Sequence, residues 1–302
     1  MAEKINITFL GTGSMIPDEK KNHPAFLLSY KSENILVDCG EGTQIQFRKA
    51  KLNPCKITRI LITHWHGDHT FGLPGLLRTL STSGYNKKLY IYGPRGIKKH
   101  FDEMFVAFGG VENFEVDVKE VSSPGKFFEN QDFYLEAEKM IHVQPCNAYN
   151  FVEKDKFRID KAKLKKAKIQ PGKHIQELKK GKDIVLNGKK YKAKDFVYGE
   201  KGKKVSFVLD TLINERIVPF VKGSDLLVCE SSFGSEHEKL AHAYQHLTSK
   251  QAAEIAKKGS VKKLMLTHLS QRYNKSSHKI VAEAKKIFKN AHLANDLDSL
   301  EI

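Results

Sequence analysis

The stretch Thr63-His64-Trp65-His66-Gly67-Asp68-His69 puts four metal-competent side chains within six residues. His64 and His66 are two apart, so an extended backbone points both imidazoles to one side. Gly67 then lets the chain turn sharply, which brings Asp68 and His69 to the same opening from another direction. Imidazole and carboxylate groups without a thiolate suit a hydrolytic zinc that keeps a position open, rather than a structural one. Residues 58–63 form a short β-branched run that reads as a buried strand, and residues 71–82 read as a helix with Pro74 in its first turn. A dense ligand set at the C-terminal end of a strand is where α/β folds place their chemistry. The alternative is a His-rich surface loop.

On either side of this stretch, strand patterns fall at residues 4–10, 26–30, 34–38, 89–92, 114–121, 133–143, 204–209, 226–229 and 263–267. Helical patterns fall at 42–50, 97–108, 248–258 and 278–288. Thr248 with Gln251 three residues on has the spacing of a capping box. The class is therefore α/β. The chain has 302 residues, 40% hydrophobic and 28% charged, which excludes wholesale disorder and provides for a substantial core. Its apolar runs fall far short of the roughly 20 residues a membrane span needs. The N-terminus enters a strand pattern without a secretory layout. The four cysteines, Cys39, Cys55, Cys146 and Cys229, include no C-x-x-C pair, which argues against a disulfide scaffold. A soluble, cytoplasmic protein with no membrane partner is expected.

The formal charge is +16, and it is unevenly spread. Residues 153–204 hold 19 Lys+Arg and 7 Asp+Glu, a net +12; the other 250 residues carry only +4. This stretch is poor in large apolar residues and is broken by Pro171-Gly172, Gly181, Asn187-Gly188 and Gly199, so it reads as an inserted element rather than core.

The motif His64-x-His66-x-Asp68-His69 is the signature of the metallo-β-lactamase superfamily, whose fold is a four-layer αββα sandwich binding one or two metals. More specifically, the chain resembles the ribonuclease Z family. Phe9-Leu10-Gly11-Thr12-Gly13, Asp38-Cys39-Gly40-Glu41-Gly42-Thr43-Gln44, the run HWHGDHTFGLPGLL from His64 to Leu77, and Leu266-Thr267-His268-Leu269-Ser270-Gln271-Arg272-Tyr273 all match that family's motifs. The resemblance spans residues 1–302 as one domain, with residues 153–204 where the family carries a flexible tRNA-binding arm.

The resemblance implies two Zn2+ ions, with Mn or Fe also accepted by such ligands. One takes His64, His66 and His142, the other takes Asp68, His69 and His268, and Asp210 bridges. Asp210 sits in Leu209-Asp210-Thr211, where the family has Gly-Asp-Thr. His246, in His246-Leu247-Thr248, matches a His-Ser-Thr loop and is a candidate proton donor, while Asp68 would hold the attacking water. Glu230, in Cys229-Glu230-Ser231-Ser232 against the family's His-Glu-Ala-Thr, is a candidate partner for the histidines. Ala148 and Leu247 also depart from the family pattern. His242 reads as a surface residue.

The resemblance further implies endonucleolytic removal of the 3′ trailer from precursor tRNA, leaving a tRNA 3′-hydroxyl and a trailer 5′-phosphate. It also implies a homodimer whose arms act across subunits. Lys161, Lys163, Lys165, Lys166 and Lys168 in one short helical pattern, with Lys173, Lys179 and Lys180, would follow an RNA backbone by phosphate contacts and read little sequence. Two other readings share the site: a different hydrolase of the same fold (a small-molecule phosphodiesterase or lactonase) and a non-catalytic RNA-binding relative. The +12 segment disfavours the first, and the complete ligand set disfavours the second.

Overall fold

The computed structural model describes residues 4–16, 18–110 and 113–302. Two seven-stranded sheets organise it. The first runs Ser299–Glu301, Asn6–Gly11, Ala25–Tyr30, Glu33–Val37, Arg59–Leu61, Leu89–Gly93, Val116–Glu120. Its first four strands pair antiparallel, and the pairs from Glu33–Val37 onward are parallel. The second runs Ala291–Leu293, Leu264–Thr267, Leu226–Glu230, Lys204–Val208, Cys146–Glu153, Phe133–Met140, Gly125–Glu129, with its first four strands parallel.

Aromatic side chains join the two sheets face to face. Phe26 meets Phe207 with ring centroids 6.1 Å apart, Tyr30 meets Phe151 at 5.3 Å, and Tyr149 Oη donates to the Ile62 carbonyl at 2.8 Å. Helices cover the outer faces because their apolar residues recur at helical spacing. Leu73, Leu76, Leu77 and Leu80 of Gly72–Thr82 are buried in one outer cluster with Phe47 and Phe101. Ala252, Ala253, Ile255 and Ala256 of Ser249–Lys258 share the other with Ile280 and Ala284 of Ser277–Ile287. The layering is helix, sheet, sheet, helix: the expected αββα sandwich. The Thr248–Gln251 capping box is formed in both directions.

Cys146–Glu153 has no counterpart among the sequence patterns. It is buried along nearly its whole length, so it lacks alternation, and its two asparagines disguise it as loop. Both are satisfied inside: Asn147 Nδ2 donates to the Val121 carbonyl at 2.9 Å, and Asn150 Oδ1 accepts from Ser206 Oγ at 2.6 Å. The expected helix at 71–82 begins earlier, as Gly67–Thr70 followed by Gly72–Thr82.

The chain divides into two compact units, one of residues 1–128, 135–151 and 204–302, the other of 129–134 and 152–203. The second unit, read from sequence as an insert poor in large apolar residues, has a small core of its own. Ile169, Leu178, Ile184, Ala193 and Phe196 are buried there, with Leu164, Ala167 and Ile175 packed against them. Lys156–Ile159 pairs with Val197–Glu200, and Ile184–Leu186 pairs with Lys189–Tyr191 through Asn187-Gly188, both at positive φ as a tight hairpin requires. The helix Lys161–Lys166 is capped by Asp160, whose side chain accepts from the Lys163 amide. Leu164 turns toward the core and Lys168 lies beyond the helix end at φ 53°, so the five lysines do not encircle one helix as the spacing suggested.

Two glycines in the long N-terminal motifs set a close approach of loops. A Cβ on Gly72 would lie 2.0 Å from the Gly40 carbonyl oxygen, and one on Gly40 would lie 2.4 Å from the Asp68 carbonyl oxygen. Gly84, by contrast, is open to solvent at φ 75°. Gly84→Ala should therefore cost about 1 kcal/mol of unfolding free energy, from the left-handed backbone alone. Gly72→Ala should cost clearly more, because backbone must move; urea denaturation of the two variants makes the comparison, and equal costs would contradict it.

Candidate metal centre

Each candidate ligand lies just beyond the C-terminal end of a strand. The chain leaving Arg59–Leu61 delivers His64 and then His66, which is extended (φ −73°, ψ 153°) and starts the short helix Gly67–Thr70. Asp68 and His69 ride on that helix. Gly67 makes its turn without a left-handed backbone; a Cβ there would overlap the Phe71 ring, 2.0 Å from Cζ. His142 follows Phe133–Met140, Asp210 follows Lys204–Val208, and His268 follows Leu264–Thr267. Asp210 and His268 adopt positive φ (30° and 56°), as does Asp38 (57°). Non-glycine residues rarely do so, and such conformations persist only where the surroundings hold them.

The side chains converge in two groups that share Asp210. His64, His66, His142 and Asp210 offer ligand atoms all within 4.8 Å of one another, and so do Asp68, His69, Asp210 and His268. Asp210 Oδ2 lies 3.7 Å from His64 Nε2, 4.0 Å from His142 Nε2 and 3.4 Å from His69 Nε2, while Oδ1 lies 3.3 Å from His268 Nε2. Asp68 Oδ2 is 3.4 Å from His69 Nε2 and 3.3 Å from His268 Nε2. All seven residues named from the sequence as ligands are thus brought together, across the 204 positions from His64 to His268.

The electrostatics of this cluster fit a cation. Asp68 Oδ1, Asp210 Oδ1 and His69 Nε2 are buried and make no hydrogen bond, a costly arrangement unless something else satisfies them. Burial alone would raise the carboxyls, yet the imidazoles of His268 and His69 hold Asp210 well below the ordinary range, and those of His69 and His268 do the same for Asp68. Burial likewise opposes charge on His69, but the carboxylates of Asp68, Asp210 and Asp38 push it well above its usual value. The spot demands positive charge. Burial meanwhile lowers His64, His66 and His142, leaving them in the neutral form that ligates metals.

A surrounding set of groups fixes the orientation of these ligands. Asp38 Oδ2 accepts from His69 Nδ1 at 2.6 Å, which leaves Nε2 for the centre, and Asp38 Oδ1 accepts from the Thr63 amide at 2.7 Å. Glu230, fully buried, accepts from the Thr211 amide (2.7 Å) and Ser232 Oγ (2.7 Å) and pairs with His246 Nδ1 at 3.1 Å. Although burial opposes it, Glu230 and Asp210 raise His246 to about 9. Ser232 Oγ also reaches His268 Nδ1 at 2.9 Å. Sequence reasoning passed over Asp38, Thr63 and Ser232 as site residues; Asp38 sat in a quoted motif, directly after a strand, and that position was its signal.

Three departures from the family pattern fall outside the cluster. Cys229, Leu247 and Ala148 are all buried in the apolar core behind the second sheet, so none leaves a gap in the hydrogen bonding described here. His242 is exposed, as expected. Lys161, Lys163, Lys165, Lys166, Lys168, Lys173, Lys179 and Lys180 are all exposed on the second unit. Lys163 pairs loosely with Asp160 (3.9 Å) and Lys180 with Glu177 (3.1 Å). Because Asp38 selects the His69 tautomer, Asp38→Asn should weaken metal affinity by about 10–100-fold. Competition with a chromogenic chelator measures this, and unchanged affinity would remove Asp38 from the account.

Comparisons with known proteins follow the same lines. Residues 5–170 match the family model described as anti-Pycsar protein Apyc1. The ribonuclease Z of Oceanobacillus iheyensis is 39% identical over 99% of this chain and 100% of its own length, and that of Bacillus mycoides 36% over 99% of each. Among solved structures, human tRNase Z, short form, superposes with a TM-score of 0.72 at 26% identity, covering 98% of both chains. The metallo-β-lactamase fold protein YhfI of Bacillus subtilis gives 0.72 at 18% identity, a likeness of fold. The chain belongs to the ribonuclease Z family, and through residues 5–170 to the domain family of the Apyc1 model.

Proposed function

We propose that this chain is the endoribonuclease that removes the 3′ trailer from precursor tRNA, with two zinc ions held by His64, His66 and His142 on one side and Asp68, His69 and His268 on the other, bridged by Asp210. The observation that carries it is the shared, buried Asp210 between two imidazole groups, in a family whose relatives are named ribonuclease Z. Bound zinc would supply a Lewis acid that lowers the pKa of water and offsets charge on phosphate oxygens. The chain's own residues do the rest. Asp68 Oδ1, free of protein partners, holds the attacking water and takes its proton. His246, an imidazolium whose Nδ1 is engaged by Glu230, donates from its other nitrogen to the leaving 3′-oxygen. A cavity of about 640 Å³ opens onto His66, Asp68, His142, Asp210, His246 and His268.

Residues 153–204 form the tRNA-binding arm. Its exposed lysines can neutralise phosphates along a backbone, and a shape-based grip suits a substrate class with one fold and many sequences. A homodimer, which the family resemblance implies together with arms that act across subunits, would cover large apolar side chains left exposed around one group of helices: Ile45, Phe71, Val106 and Phe108. No helix among the described residues is long and apolar enough to cross a membrane. The four cysteines are free, which suits a cytoplasmic setting.

With zinc-loaded protein and a trailer-bearing precursor tRNA, His66→Ala should lose at least about 100-fold in kcat. Deletion of residues 155–198 should raise KM about tenfold or more while hydrolysis of bis(4-nitrophenyl) phosphate persists. Failure of the wild type to cut the precursor would sink the nuclease reading, and unchanged tRNA affinity after the deletion would sink the arm's role. The pH dependence is a further check. His246 donates only while protonated, so activity falls as pH rises through its pKa. Glu230→Gln, which removes the charge that raises that pKa, should shift the descending limb of the pH–kcat profile to lower pH; a limb that stays in place would exclude His246 as the donor.

A further inference from the structure

One wall of the catalytic cavity has no part in the chemistry just derived. Met15, Ile16, Val143, Phe233 and Tyr244 line it beside the ligand cluster. Val143 is 70% exposed and Tyr244 58%. Phosphate and water need no apolar contact, and exposed apolar surface inside a functional cavity marks a place where something lands.

The geometry of this wall narrows what can land there. The Tyr244 ring lies parallel to that of Phe233, at an interplanar angle of 8° with centroids 6.4 Å apart. Phe233 is buried and carries the Arg272 guanidinium 5.3 Å from its ring centroid. It also lies 6.1 Å from the ring of His246, the proposed proton donor. The backbone fixes this pair. Ser249 N donates to the Phe233 carbonyl at 2.8 Å, and the Tyr244 amide donates to Leu240 at 3.0 Å as the cap of helix Glu238–Ala243. Gln245 then takes φ 57°, turning the chain back toward His246. A flat, exposed aromatic ring, parallel to a second ring that carries a guanidinium, matches the face of a planar heterocycle.

We propose that Tyr244, parallel to a Phe233 ring that carries Arg272, is a stacking platform for the nucleobase adjoining the scissile phosphate. The inference rests on the phosphodiesterase reading of the metal centre, and it assigns Tyr244 a specificity role that no step of hydrolysis requires. Stacking is tolerant of base identity because every base has a π-face, so the platform distinguishes a nucleotide diester from other phosphodiesters without reading sequence.

The test uses the full-length, zinc-loaded chain and three chromogenic diesters: thymidine 5′-(4-nitrophenyl) phosphate, thymidine 3′-(4-nitrophenyl) phosphate and methyl 4-nitrophenyl phosphate. The readout is the ratio of kcat/KM between each thymidine ester and the methyl ester. For the wild type at least one ratio should be about tenfold or more, a typical worth of one stacked base. Tyr244→Phe should keep it; Tyr244→Ala should bring it close to one, with the loss falling mainly on KM. A wild-type ratio near one, or a preference that survives Tyr244→Ala, overturns the platform. Cleavage of precursor tRNA is scored separately. Thymidine preference without tRNA cleavage supports the platform and removes the tRNA assignment.

Discussion

The structure turns on one buried carboxylate. Asp210 stands at the end of a parallel strand in a left-handed backbone conformation, with five imidazoles around it at 3.3–4.0 Å. An ionised carboxylate removed from water costs several kcal/mol unless it is compensated. Here the compensation comes from both sides of the molecule: His64 and His69 from the first sheet's side, and His142, His246 and His268 from the second's. The sandwich must therefore close correctly for the charge to be tolerated. The same closure creates two ligand groups with a common member.

That constraint explains features further out. The left-handed conformations of Asp38, Asp210 and His268 aim side chains into the centre from strand ends. The glycine pair Gly40 and Gly72 lets the loop after Glu33–Val37 lie against the helices that present Asp68 and His69. Asp38 and Glu230 sit behind the histidines as buried acceptors, so the imidazoles enter the site with one nitrogen already committed. The cavity that results has a charged, ligand-rich floor and an aromatic wall, which is the division a phosphodiester with an attached base calls for.

Much of this was legible in the sequence, for identifiable reasons. The cluster from His64 to His69 is local and dense, so its chemistry could be read without a fold. Thr248 and Gln251 carry a capping box whose two hydrogen bonds span three residues, and local rules suffice for that. His142, Asp210 and His268 are lone polar residues after strands, and only resemblance to a family marked them out. What escaped was non-local or disguised. Cys146–Glu153 is buried on both faces and carries two asparagines, so neither alternation nor composition revealed a strand. The lysine-rich segment hides its core because its buried residues, from Ile169 to Phe196, are spread singly among charges. Asp38 and Ser232 act through other residues, and only the place of Asp38 in a motif after a strand gave a local sign of it.

The charge imbalance also has a structural counterpart: the small unit with its own core carries a net +9 on 58 residues, against +7 on the 244 residues of the larger unit. The central claim is that Asp210 is shared by two metal ions. Anomalous diffraction at the zinc edge, from crystals of the zinc-loaded chain, tests it most directly. The account predicts two peaks flanking the Asp210 carboxylate, one bounded by His64, His66 and His142, the other by Asp68, His69 and His268. A single peak, or peaks remote from Asp210, would contradict it.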